Sequence, residues 1–149
     1  RALGRRARAP RELDATVMTL IDRVARRLRT ARRACRTVVL RLRFDDYSRA
    51  TRSRTIAQAT ARTATLLTVA RGLLAASRAL IAQRGLSLIG VALTNLCDAN
   101  AIQLALPFDR SAGLDRALDE LRERFGSGVV SRGALVGRDV GPWMPLLPD

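Results

Sequence analysis

Lysine and histidine are absent from this sequence, and aromatic residues make up only 3% of it. Without histidine there is no imidazole for general-base work. There is also none to complete a zinc site around Cys35 and Cys97, which lie far apart with no CxxC spacing. Both cysteines are expected to be reduced and to serve as small apolar residues. The scarcity of aromatics excludes stacking on nucleobases as the main mode of binding. No apolar run approaches the length of a membrane span and no signal peptide precedes the first helical pattern, so neither insertion nor export is expected. Clustered carboxylates are missing too. The adjacent acids outside the last helical pattern, Asp45 and Asp46, fall in a turn where neighbouring side chains diverge. Two-metal phosphoryl chemistry has no ligand set here, and no catalytic or metal-binding residue is expected.

What the sequence does have is arginine. All 27 basic residues are arginines, against 13 acids, for a net charge of +14. A GC-rich codon bias is one reason to use arginine in place of lysine, but it does not require an uneven placement. Residues 1–62 carry 18 Arg and 5 acids, whereas residues 98–149 carry 6 Arg and 8 acids. A basic first half of this size attracts a polyanion, and guanidinium groups add planar, bidentate recognition of phosphate. With 149 residues, 48% of them apolar, the chain is long enough for one domain with a real core and an appendage.

Hydrophobic periodicity places the elements. Leu13, Val17, Leu20, Ile21, Val24 and Leu28 return to one face of a helix over residues 11–29. Pro10 with Glu12 and Asp14 at its start, and Arg26, Arg27 and Arg29 at its end, suit the helix dipole. Val38, Leu40, Leu42 and Phe44 then alternate with Thr37, Val39, Arg41 and Arg43, which specifies a strand with one apolar and one cationic face. Residues 45–48 form a turn, and residues 51–56 (Thr-Arg-Ser-Arg-Thr-Ile) resume an extended pattern, giving an antiparallel hairpin. A second helix is expected from about Thr63 to Gln83, closed by Gly85. The short apolar run 86–96 reads as a buried strand. A further helix follows over Leu114, Ala117, Leu118, Leu121 and Phe125, closed by Gly126. The rest of the chain lacks periodicity and is expected to be a loosely docked tail. Two helices cover only one face of a small sheet, which leaves the face of Arg41 and Arg43 solvated or bound to something.

Three stretches, in order, resemble the C-terminal half of Y-family translesion DNA polymerases of the bacterial polymerase IV branch. They are RTVVLRLRFDDYSRATRSRTI (36–56), RGLSLIGVALTNL (84–96) and QLALPF (103–108). The first is similar to the hairpin of that family's little finger domain, the second to its last strand, and the third to the sliding-clamp-binding peptide that follows. The resemblance implies an α+β fold, βαββαβ, with a four-stranded sheet backed on one face by two helices and with its first strand in residues 1–8. The implied organisation is a little finger over residues 1–97, a linker with the clamp peptide over 98–112, and a C-terminal helix and tail over 113–149. The residues from 110 onward also resemble an extension found in some actinobacterial members. A chain that opens at Arg1 without methionine is expected to be part of something longer.

The resemblance implies a domain that grips the sugar-phosphate backbones of primer-template DNA, and the open strand pair offers the groups for it. Arg41, Arg43, Arg52 and Arg54 supply charge, and Thr51, Ser53 and Thr55 supply hydroxyls. Alternation puts Arg52 and Arg54 on one face and the three hydroxyls on the other, so some contacts must be made at an edge or by backbone. The alternative is a solvated face making surface ion pairs. In the peptide, Gln103 is the polar contact at a pocket mouth, Leu104, Leu106 and Phe108 are apolar anchors, and Pro107 restricts the chain. The alternative there is packing of the same side chains on their own domain.

The parent is expected to be a magnesium-dependent, error-prone DNA-directed polymerase of the cytoplasm. This segment, monomeric and without a cofactor, would be its binding module. A second reading makes the parent a catalytically inactive homologue that acts as a clamp-tethered adaptor. A third makes the chain a free-standing basic protein that binds DNA or RNA.

Overall fold

A computed structural model describes residues 9–101, 110–131 and 133. The expected first strand in residues 1–8, the peptide Gln103, Leu104, Leu106, Pro107 and Phe108, and most of the tail lie outside the described residues.

Helix α1 spans Pro10–Thr30, with proline at its first position, Glu12 in its first turn and Arg27 and Arg29 in its last. Its apolar stripe is Leu13, Val17, Ile21 and Leu28, with Ala25 between, and Val17, Ile21 and Ala25 are fully buried. Strand β1 (Arg33–Arg43) then pairs antiparallel with β2 (Arg49–Thr60) through a tight hairpin. The turn is closed by Phe44 N–H donating to Ser48 O at 2.9 Å and by Ser48 N–H donating to the Asp46 carboxylate at 3.0 Å. Asp46 is thus a turn former, and its hydrogen bonds from Ser48, with Arg84 nearby, hold its carboxyl below the ordinary range.

The second helix departs from its expected form. Instead of one helix to Gln83, α2 (Thr63–Ala76) and α3 (Arg78–Arg84) meet at a bend of 51°. Ser77, buried at the bend, donates its hydroxyl to Leu73 O at 2.9 Å. This back-bonding to the preceding turn competes with the helical ladder and bends the axis. Gly85 ends α3 at φ 67, ψ 173, a region open essentially to glycine alone. Among the described residues no single helix is long and apolar enough to cross a membrane. The bent pair α2 and α3 has the composition for it, but Leu66, Leu67 and Leu74 are committed to the core.

Strand β3 (Leu88–Asp98) returns antiparallel on the other side of β1, giving the order β2-β1-β3. Three strands, not the expected four, form the sheet among the described residues. The run 86–96 was expected to be buried, yet only Leu88 and Ile89 of β3 are, and the strand lies at the edge of this sheet. Its apolar character is divided by size: Ile89, Val91 and Leu93 pair with Leu42, Leu40 and Val38, whereas Gly90 and Ala92 point the other way.

All the helices pack on one side. Val38, Leu40, Leu42 and Phe44 join Val17, Ile21, Leu66, Ala70 and Leu74 in a single core. Burying each large side chain contributes about 1.5–3 kcal/mol.

Helix α4 (Arg110–Phe125) docks through charge, not through its leucines. Arg29 holds Asp119 with two hydrogen bonds, 2.6 and 3.0 Å, and Arg122 pairs with Asp22 at 2.8 Å, both partners largely buried. Asp115 accepts the N–H of Thr63 at 2.9 Å. The residue before α2, Arg62, provides no side-chain cap of its own. Asp115 therefore caps α2 from another element, where an anion also suits the dipole.

Candidate nucleic-acid interface

In an antiparallel ladder, directly opposed residues project from the same face. Arg41 lies opposite Thr51 on one side and Gly90 on the other, Val39 opposite Ser53 and Ala92, and Thr37 opposite Thr55 and Thr94. Arg43 lies opposite Arg49. These residues form the face that the helices leave uncovered among the described residues. Leu40 and Val38 lie opposite Arg52 and Arg54, on the helix side.

The expected binding set is therefore split by the register. Arg41, Arg43, Thr51, Ser53 and Thr55 share the open face, with the arginines half-buried and the hydroxyl side chains exposed. Arg52 and Arg54 occupy the opposite face but remain exposed, because β2 is the outer strand and the helices cover it only in part. Arg54 reaches across α2, its Nη1 lying 3.7 Å from the place that a Cβ on Gly72 would take. Arg52 folds along its own strand, donating to Thr51 O at 3.2 Å. The two pairs of arginines flank β2 from either side.

Local interactions order the open face. Thr37 Oγ1 lies 2.8 Å from Thr55 Oγ1 and accepts the Asn95 amide at 2.8 Å, so three strands are tied by side chains. Asn95 sits at φ 52 and is left out of the β1–β3 pairing opposite Arg36. Arg43 donates its Nε to Ser87 Oγ at 3.3 Å, and its guanidinium lies 5.9 Å from the centre of the Tyr47 ring. Ser87 in turn donates to the carbonyls of Arg43 and Phe44.

Two features of this face were missed in the sequence. Arg49 lies between the turn at residues 45–48 and the extended pattern expected from residue 51, yet it opens β2 directly across from Arg43. The track Gly90, Ala92, Thr94 lowers the surface beside Arg41, so that a backbone can approach the sheet closely. The signal was present as small residues at every second position of a run that looked uniformly apolar. On the paired segments 37–43, 49–55 and 88–94 no residue is acidic.

The carboxylates are spent elsewhere. Asp14 holds Arg71 with two hydrogen bonds of 2.8 Å, which keep the Asp14 carboxyl below its usual range. Asp46 pairs with Arg84, and Asp22, Asp115 and Asp119 face Arg122 and Arg29. Cys35 is fully buried and its thiol is pushed up to about 11, chiefly by that burial. Among the described residues no group of three or more His, Cys, Asp or Glu is placed to hold a metal ion.

Fold and surface define a class: an α+β domain whose described helices lie on one face of an antiparallel sheet and whose opposite face is cationic and, over the paired segments 37–43, 49–55 and 88–94, free of acids. Residues 1–106 match the impB/mucB/samB family C-terminal domain. The chain belongs to that family, as the C-terminal region of a Y-family protein of the DNA polymerase IV type. It is 35% identical over 152 residues to DNA polymerase IV 2 of Mesorhizobium japonicum, covering 90% of this chain and 36% of that protein. It is 37% identical over 131 residues to DNA polymerase IV of Caulobacter vibrioides (85% and 32%) and 34% over 141 residues to that of Moorella thermoacetica (93% and 35%). The chain thus spans about a third of the length of the curated relatives it matches.

Proposed function

We propose that this chain is the DNA-gripping little finger of an error-prone translesion DNA polymerase. The observation that carries the reading is the ladder register, which assembles Arg41, Arg43 and Arg49 with Thr51 and Ser53 on one face, with no acid in the strand segments around them, beside the low track of Gly90 and Ala92. Such a face suits a sugar-phosphate backbone: guanidinium groups neutralise phosphates, hydroxyls and N–H groups fix position, and nothing reads a base edge. Arg52 and Arg54, on the other side of β2, fit contacts along the strand edge or to the second backbone.

The parent's polymerisation, with its magnesium, belongs to the part of the protein outside this chain. The little finger holds the primer-template while that chemistry proceeds. Residues 103–108 recruit the sliding clamp, with Gln103 at the pocket mouth, Leu104, Leu106 and Phe108 as anchors and Pro107 limiting the chain's freedom. The working state is a monomer in the cytoplasm.

The test compares binding of a fluorescent primer-template across a salt series for the native chain, Arg41→Ala/Arg43→Ala and Arg52→Ala/Arg54→Ala. Each lost phosphate contact lowers the slope of log K against log salt by about 1. A native slope retained in Arg41→Ala/Arg43→Ala would sink the open-face reading. In parallel, alanine at Gln103, Leu106 and Phe108 is expected to abolish binding to the sliding clamp and to leave DNA affinity unchanged.

A further inference from the structure

Helix α4 is inside out for a helix at the surface of a domain. Its inward side carries Asp115, Asp119 and Arg122, while Leu114, Leu121 and Phe125 are 56%, 40% and 63% exposed. Large apolar side chains at this spacing share one helical face. The polar docking on one side and the apolar stripe beside it leave α4 with a face that no described element covers.

We propose that this stripe is the docking site of the chain's own residues 134–149. Three observations select that occupant. The first is direction. Gly126, at φ 98, donates its N–H to Arg122 O, and the Arg122 guanidinium holds Val130 O at 3.2–3.3 Å, so the chain turns back along α4 after the helix ends. Exposed Val129 extends the apolar surface into this turn.

The second is composition. Residues 134–149 carry Leu135, Val136, Trp143, Met144 and Leu147, with one acid at each of Asp139 and Asp149. A 16-residue helix is about 24 Å long, and a stretch of similar length extends to about 50 Å. The segment therefore reaches every residue of the stripe.

The third is size. Three or four side chains fall well short of the about 800 Å² per partner that a stable complex between free proteins buries. A tethered segment needs far less, because it pays only a short loop closure instead of the loss of free translation and rotation.

Trp143 is the chain's single tryptophan and so reports on the segment without labelling. The experiment measures its emission maximum and its quenching by acrylamide in the full 149-residue chain. It compares the native chain with Leu114→Ser/Leu121→Ser and with Phe125→Ser, at two protein concentrations, with circular dichroism as a check on folding. Because the substituted residues are exposed, the domain is expected to keep its melting temperature. Protected, blue-shifted emission in the native chain that shifts red and quenches faster in both variants, independent of concentration, is the expected result. Native emission as quenched as that of the urea-unfolded chain overturns the proposal. Protection that the variants do not change overturns it too, and protection lost on dilution assigns the stripe to a second copy instead.

Discussion

Single residues decide which parts of this surface are adjustable. Gly85 is not: besides its glycine-only backbone conformation, a Cβ there would collide with the Asp45 carboxylate. Gly85→Ala is expected to destabilise the domain by at least about 1–3 kcal/mol, read as a drop in thermal or urea midpoint. Leu40 is fully buried at the centre of the middle strand. Leu40→Ala should cost about 2–5 kcal/mol, while Thr51→Ala, exposed on the edge strand β2, should leave the midpoint nearly unchanged. The two thiols separate in the same way. Cys35 is buried and holds its proton to about pH 11, whereas Cys97 is half-buried. A thiol reagent at neutral pH is expected to modify one cysteine of the native chain promptly and the second only on unfolding; two equal rates would contradict this placement.

At the scale of elements, charge rather than apolar area joins α4 to the domain. Removing one member of a buried pair costs about 3–5 kcal/mol when the partner stays buried, but α4 can leave, which limits the loss to its own docking energy. Arg122→Ala is therefore expected to release α4 while the core survives. Hydrogen exchange would show fast amides over residues 113–125 and unchanged protection in β1. The pair of α1 and α2 has a smaller clamp in Asp14 and Arg71. Because the folded carboxyl titrates below its unfolded value, the contribution is fully present above about pH 4. It is lost as pH falls through the lowered folded value. Both side chains are substantially exposed, so it amounts to less than about 1 kcal/mol. Asp14→Asn should remove that part of the acid dependence and little else.

For the whole molecule, charge distribution is the governing quantity. Among the described residues, Arg29 and Arg122 pair with largely buried aspartates, and Arg71 and Arg84 with more exposed ones. Those pairs consume acids as well as bases, so the surplus remains on the hairpin and around α1. If the open face grips DNA as proposed, affinity is expected to be insensitive to base sequence and to fall steeply with salt, since guanidinium and hydroxyl groups suited to a backbone carry no base readout. A sequence preference that persists at high salt would contradict an interface built without base-edge contacts.

The sequence by itself determined the order of elements, the hairpin and the family. Each of these rests on local signals: period two in residues 37–44, period 3.6 in α1, glycines at helix ends, and short stretches with a family likeness. It also determined that the hydroxyls of β2 and Arg52 and Arg54 point to opposite faces, because strand alternation is a property of the backbone. Tertiary structure decided which of the two sets lies with Arg41. That depends on the cross-strand register, a relation between residues distant in the chain. It also decided the bend at Ser77, which follows from one hydroxyl finding a carbonyl in its own helix once buried. Finally, it turned α4 round. Periodicity marked Leu114, Leu118, Leu121 and Phe125 as a face but could not say that Asp115, Asp119 and Arg122 would find Thr63, Arg29 and Asp22. Those partners come together only after α1 and α2 have packed, and their combined attraction outweighs the usual preference for burying leucine.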